Sequence, residues 1–148
     1  MNSLATGYLV TSLVSALLLF FAWRRPRVGR GLYAVLFLGA AAFNAVTALR
    51  TPEVYVEGFA PRAIGPFREF IERVVALAPQ AFVLAVAGGQ VLVGLGLVVG
   101  RGLPLAGGAA GAAFFLVAIS WLGVGAAFPL NLVLAAGALL LLRERSAG

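Results

Sequence analysis

Five neutral polar residues stand inside otherwise apolar stretches of this chain: Asn44, Thr47, Gln90, Ser120 and Asn131. Their chemistry is hydrogen bonding, with amides that donate and accept and hydroxyls that do either. Such groups can orient a carbonyl or hydroxyl on a bound molecule, or they can simply bond to one another across a helix interface. Arg50 and Glu53 follow Asn44 and Thr47 closely enough to stand at the rim of the same region. Thr11, Ser12 and Ser15 add hydroxyls nearer the start of the chain.

Other chemistry is excluded by what the sequence lacks. There is no Cys and no His, so disulfides, thiolate nucleophiles, zinc sites and the usual haem ligands are absent. Asp and Lys are missing too, which leaves acid–base work to five Glu and three Tyr. No Ser-based triad, phosphate-binding loop or dinucleotide fingerprint can be assembled, because the Gly-rich stretches lie within apolar segments. An enzyme acting alone is a poor fit, no metal is expected, and a basic solvated face for nucleic acid is missing.

The elements that must position these residues are membrane helices. Hydrophobic residues make up 62% of 148 and charged ones 11%, with a mean hydropathy of +1.05. A soluble domain has about 25% charged residues and could not bury so much apolar surface. A helix crossing the ~30 Å hydrocarbon core needs roughly 20 apolar residues. Leu4–Trp23, Gly31–Leu49 and Ala81–Gly100 each fit one crossing. The stretch Gly102–Leu142 is too long for one and carries Gly123, Gly125 and Pro129 after Trp121. Split at that turn signal it makes Leu103–Leu122 and Ala127–Leu142, giving five crossings in one domain over 1–148. Four crossings is the alternative.

Direction follows from the arginines. The first segment has no basic residue ahead of it and is followed by Arg24, Arg25, Arg27 and Arg30, so it reads as a retained anchor rather than a cleaved signal. Basic residues stay on the cytoplasmic side. With the N-terminus outside and the C-terminus inside, Arg101, Arg143 and Arg145 also fall inside, whereas the connection from Arg50 to Gln80 balances four Arg against four Glu outside. Tyr8 and Trp121 are then expected at the outer interface, Trp23 and Tyr33 at the inner one.

The outer connection should contain a helix over 65–78, bounded by Pro66 and Pro79. Phe67, Phe70, Ile71, Val74 and Val75 share one face, and the other face offers the pairs Arg68–Glu72 and Glu69–Arg73. It is either an interfacial connector or a lid over a cavity. The third and fourth spans carry Gly96, Gly100, Gly107 and Gly111 at spacing four, the pattern that lets membrane helices approach closely, so a tight hairpin is expected through them. No charge lies within any span, which disfavours a pump or ion-coupled carrier. Depth counting puts Asn44, Thr47, Ser120 and Asn131 in the outer half and Gln90 near the middle.

From Arg30 to Arg143 the chain resembles the DoxX-like group of small bacterial membrane proteins, through GLYAVLFLGAAAFNAV, QVLVGLGLVVGR and PLNLVLAAGALLLL. The resemblance implies an all-α membrane protein with a four-helix transmembrane bundle in the bacterial inner membrane. The span before Arg24 would be an extra N-terminal transmembrane helix. In that group the position matching Gln90 is often a carboxylate, and some relatives are associated with quinone-linked thiosulfate oxidation. Two functions remain open. One is an accessory or assembly subunit of a larger membrane complex, with other membrane subunits or copies of itself as partners. The other is binding of a small apolar molecule, a quinone or an isoprenoid lipid.

Overall fold

The computed structural model describes residues 3–122 and 129–143, and these are helical almost throughout. Among the described residues seven α-helices follow one another: α1 Ser3–Arg24, α2 Pro26–Arg50, α3 Glu53–Phe59, α4 Pro66–Arg73, α5 Pro79–Val99, α6 Gly102–Ile119 and α7 Leu130–Leu140. Short 3-10 turns at Ala60–Arg62 and Val75–Leu77 complete the connection between α2 and α5. Four helices, α1, α2, α5 and α6, are long and apolar enough to cross a membrane. The chain is therefore an all-α protein of membrane type. Helix α7 has 11 residues, about 16 Å at 1.5 Å per residue. Of the expected fifth span 127–142, positions 127 and 128 lie outside the described residues, as do Gly123, Gly125, Glu144 and Arg145.

Proline sets most of the boundaries. Arg25 precedes Pro26 and is driven out of helical geometry, with φ −138° and ψ 76°, while Pro26 opens α2 at its first turn. Helix α2 thus begins at Pro26 and not at Gly31, because arginines at a membrane edge extend their heads to water without ending a helix. Pro79 opens α5 in the same way, after the non-helical Ala78 at φ −152° and ψ 67°. Between α5 and α6 the reversal is made by Gly100 and Gly102, at φ 69° and 60°, a region that disfavours side chains.

The expected helix over 65–78 is shorter than its pattern. Helix α4 ends at Arg73, Val74 caps it with its N–H bonded to the Phe70 carbonyl, and the 3-10 turn Val75–Leu77 leads to Pro79. The coming proline forbids a helical Ala78, so the last turn unwinds early. Ile71 and Val75 are buried as the pattern requires, but Val74 is half exposed. Glu69 and Arg73 form the expected pair at 2.9 Å. Arg68 does not pair with Glu72: its guanidinium donates to the carbonyls of Ala60, at 2.9 Å, and Pro61, at 2.6 Å. Two carbonyls exposed at the end of a 3-10 turn fit the guanidinium fork better than one mobile carboxylate.

The five long or apolar helices close into a ring in the order α1, α2, α5, α6, α7 and back to α1. The first helix is therefore a member of the bundle. Alanine and leucine fill the centre, with Ala22, Ala109, Ala112, Ala138, Leu97 and Leu105 almost wholly buried. Around the outside stand exposed large apolar side chains such as Val35, Phe43, Leu92 and Leu103. In lipid such exposure costs nothing, and adhesion comes instead from close contact and hydrogen bonds between helices.

Close contact is concentrated at the end carrying Arg24, Arg25, Arg27, Arg30 and Arg101, here termed the arginine end. A Cβ on Gly29 would lie 2.6 Å from the Ala22 backbone, so α1 and α2 touch there. Helices α5 and α6 meet where a Cβ on Gly96 would lie 2.5 Å from the Pro104 carbonyl and one on Gly108 would lie 2.9 Å from the Leu97 nitrogen. Gly111 abuts the Val93 side chain. Of the glycines expected to make this hairpin, Gly107 faces open space and Gly108 holds the contact in its place. Gly100 is the left-handed cap of α5, with the Arg30 guanidinium packed where its side chain would be. Arg30 donates to the Gly100 carbonyl at 2.9 Å.

Tyr33 also departs from expectation. It is fully buried, and its hydroxyl donates to the Leu134 carbonyl at 2.6 Å, tying α2 to α7. Gly137 leaves the room for that ring. Trp23 and Trp121 are about half exposed, Trp23 with the Arg24 guanidinium 4.9 Å from its ring centroid.

Candidate functional site

At the opposite end, under α3 and α4, the ring borders a half-open cavity of about 690 Å³. Its floor is an edge-to-face pair, Phe37 of α2 and Phe115 of α6, with ring centroids 5.6 Å apart, next to Leu116 and Leu134. Its walls include Val10 and Val14 of α1, Ala40 of α2 and Val83 and Val86 of α5. Its roof is the small apolar cluster of the connection, where Phe59, Phe67 and Phe70 join Ile71 and Val75. The roof is anchored to the bundle by the Ile64 N–H, which donates to the Trp121 carbonyl at 2.9 Å.

Polar atoms enter this cavity at few points. Asn44 Nδ2 donates to Gln90 Oε1 at 2.9 Å, joining α2 to α5. The Tyr55 hydroxyl donates to Asn44 Oδ1 at 2.8 Å, joining α3 to both. Hydrogen bonds thus run Tyr55 to Asn44 to Gln90 from roof to mid-bundle, every donor pointing inward. Gln90 is 3% exposed and spends only its oxygen in this chain, so its amide nitrogen keeps two donating hydrogens at the cavity wall. Asn131, 4% exposed at the start of α7, lines the cavity as well, as does Thr11. A molecule inside would meet hydrocarbon on nearly every side and amides from α2, α5 and α7. That suits an apolar body with a carbonyl or hydroxyl head.

A second, half-open cavity of about 330 Å³ lies beyond the same wall, lined by Thr47, Gly58 and Arg62 and sharing Asn44, Tyr55 and Phe59 with the first. The Asn44–Tyr55 bond is the partition between them. Burial pushes the Tyr55 phenol above its ordinary value of 10.0, outweighing a hydrogen bond with Thr47 that acts the other way. The hydroxyl therefore keeps its proton and remains a donor.

Of the residues singled out by sequence, the structure brings Asn44, Gln90 and Asn131 to one cavity and puts Thr47 on the smaller one. Ser120 is buried, but its hydroxyl donates to the Leu116 carbonyl of its own helix at 2.9 Å. Arg50 and Glu53 are exposed at the α2–α3 junction and line neither cavity. Thr11 donates to the Gly7 carbonyl, and the Ser15 hydroxyl is buried without a partner among the described residues. Tyr55 is the residue that sequence reasoning missed. The signal for it was present: Thr51–Pro52–Glu53 opens a helix as a polar residue, a proline and an acidic first turn commonly do, and Tyr55 falls in that first turn.

Fold and site together define a class: an all-α bundle of membrane-type helices holding an apolar cavity with an amide-lined wall. No family model, no curated protein and no solved structure matches the chain.

Proposed function

We propose that this protein binds a small apolar molecule with an oxygen-bearing head, the class that includes quinones and isoprenoid lipids, as a DoxX-like membrane subunit of a quinone-linked oxidoreductase. The observation that supports this reading is the 690 Å³ cavity with the Tyr55, Asn44 and Gln90 hydrogen-bond chain in its wall. The head accepts from Gln90 Nε2, and Asn131 stands at the same cavity. The apolar body fills the space between Phe37, Ala40, Val83 and Phe115. Binding, not catalysis, is the role: among the described lining residues only Tyr55 can ionise, and its proton is held. In this reading the membrane is a bacterial inner membrane, and the positive-inside rule favours the arginine end in the cytoplasm with the cavity in the outer half.

Titration of decylbenzoquinone and of farnesol into the protein in lipid nanodiscs tests the reading. Saturable binding is expected, weakened about tenfold in Gln90→Leu, since one hydrogen bond to a buried head contributes about 1.4 kcal/mol. Partitioning no greater than into empty nanodiscs contradicts it.

A second reading, an accessory or assembly subunit, has its own observation. Gly88 and Gly89 of α5 and Gly107 of α6 have open space beyond them, and exposed small residues are where another membrane helix can pack. Co-purification of a stoichiometric partner from native membranes, lost in Gly88→Leu, supports it. A lone monomer in mild detergent opposes it.

A further inference from the structure

Within the ring, residues that line the cavity and are also exposed lie on α1, at Val10 and Val14, and on the hairpin of α5 and α6. At the arginine end these two helices are pinned by Gly96 against Gly108 and Gly111 against Val93. Following the antiparallel register away from that contact, larger residues come to face each other: Val86 and Phe82 on α5, Ala118 and Leu122 on α6. All four line the cavity, as does Phe114 on the flank of the same α6 face. Glycine at one end and phenylalanine at the other make the hairpin a wedge.

Two of these residues also reach the outside. Phe114 is 77% exposed and Phe82 is 38% exposed, although both line the internal cavity. A side chain that borders a cavity and the surface at once marks where the two meet. That surface belongs to two membrane-spanning segments, so it meets lipid chains and not water. The roof separates the same cavity from the aqueous side, and Phe70 of α4 rests edge-on against Phe82 with ring centroids 5.7 Å apart.

We infer that the outer cleft between α5 and α6 is the lateral portal of the cavity, through which the head of a membrane-dissolved amphiphile enters from the bilayer while its apolar tail stays in the cleft between Phe82 and Phe114. The inference rests on the ligand reading above. Passage by this route keeps the tail in hydrocarbon throughout, whereas passage through the roof would carry it into water. It also brings the head inward past Val86 to Gln90, one turn deeper on α5. The ligand is then a chain-bearing amphiphile that extends from the cavity into the cleft, and not a compact apolar solute.

The absence of cysteine makes the test clean. The double variant Val86→Cys/Ala118→Cys, in nanodiscs, is closed by a short bis-methanethiosulfonate linker, and loading of decylbenzoquinone is followed before and after linking. Loading should slow by at least about tenfold on linking and recover on adding dithiothreitol. The pair Val93→Cys/Gly111→Cys, linked at the pinned end, should load at the unlinked rate. Should the first pair fail to fold, Phe82→Cys/Leu122→Cys closes the same cleft one turn further out. Unchanged loading with the cleft linked overturns the portal and leaves the ligand reading standing. No binding of decylbenzoquinone or farnesol by the native chain overturns the ligand reading and the portal with it.

Discussion

The two ends of the bundle are built on opposite principles. At the arginine end, Gly29, Gly96 and Gly108 let backbones touch, and Tyr33 and Arg30 bond to carbonyls of neighbouring helices. At the other end, the helices surround 690 Å³ lined by Phe37, Phe82, Phe114 and Phe115, and hydrogen bonds pass between side chains instead. In lipid, apolar surface has nothing to gain by hiding, so a membrane bundle can keep a cavity only if adhesion is supplied elsewhere. The glycine end supplies it. The cavity end is thereby released from close packing.

The largest effect expected from breaking this division is at Gly108. Gly108→Leu pushes a side chain into the Leu97 backbone and should cost about 3 kcal/mol or more, read as loss of the monodisperse peak in detergent size exclusion. Gly107→Leu, next to it but facing open space, should elute as the native chain does. Equal behaviour of the two would show that the hairpin is not held by these contacts. Tyr33→Phe comes next: loss of its bond to the Leu134 carbonyl should lower stability by about 0.6–2 kcal/mol in thermal unfolding without changing ligand affinity.

The smallest effect belongs to the cavity end and concerns pH. Burial favours the neutral phenol of Tyr55 in the folded state, so its pKa is higher folded than unfolded. That contribution is complete below the ordinary value of 10.0 and is lost as pH rises through the raised folded value. Stability followed by thermal unfolding should therefore be flat to about pH 9 and fall above 10, with the fall diminished in Tyr55→Phe. A fall beginning near neutral pH and unchanged in Tyr55→Phe would remove Tyr55 from the explanation.

Much of the architecture was legible in the residues. Charge-free runs located the long apolar helices, because hydrocarbon tolerates little else, and Pro66 marked the start of α4 because proline acts on its own local geometry. Asn44, Gln90 and Asn131 stood out as amides in apolar sequence, and their convergence followed from depth alone. What was not legible depended on rotation about a helix axis. Gly107 and Gly108 are adjacent, and spacing does not say which one meets Leu97. Tyr33 reads as an interfacial ring until the chain folds and presents Gly137 with room for it. Tyr55 was passed over because a seven-residue helix carries too short a pattern to register beside the longer amphipathic run that follows.

The central claim is that the cavity holds a membrane amphiphile. The most direct measurement is extraction and mass spectrometry of molecules retained by the native chain and by Ala40→Trp, purified side by side from native membranes, since Ala40 lines the cavity one turn from Asn44 and an indole there obstructs the space beside the amides. The account predicts one quinone-like or isoprenoid molecule retained in near-stoichiometric amount by the native chain and absent from Ala40→Trp. Bulk phospholipid alone in both preparations would contradict it.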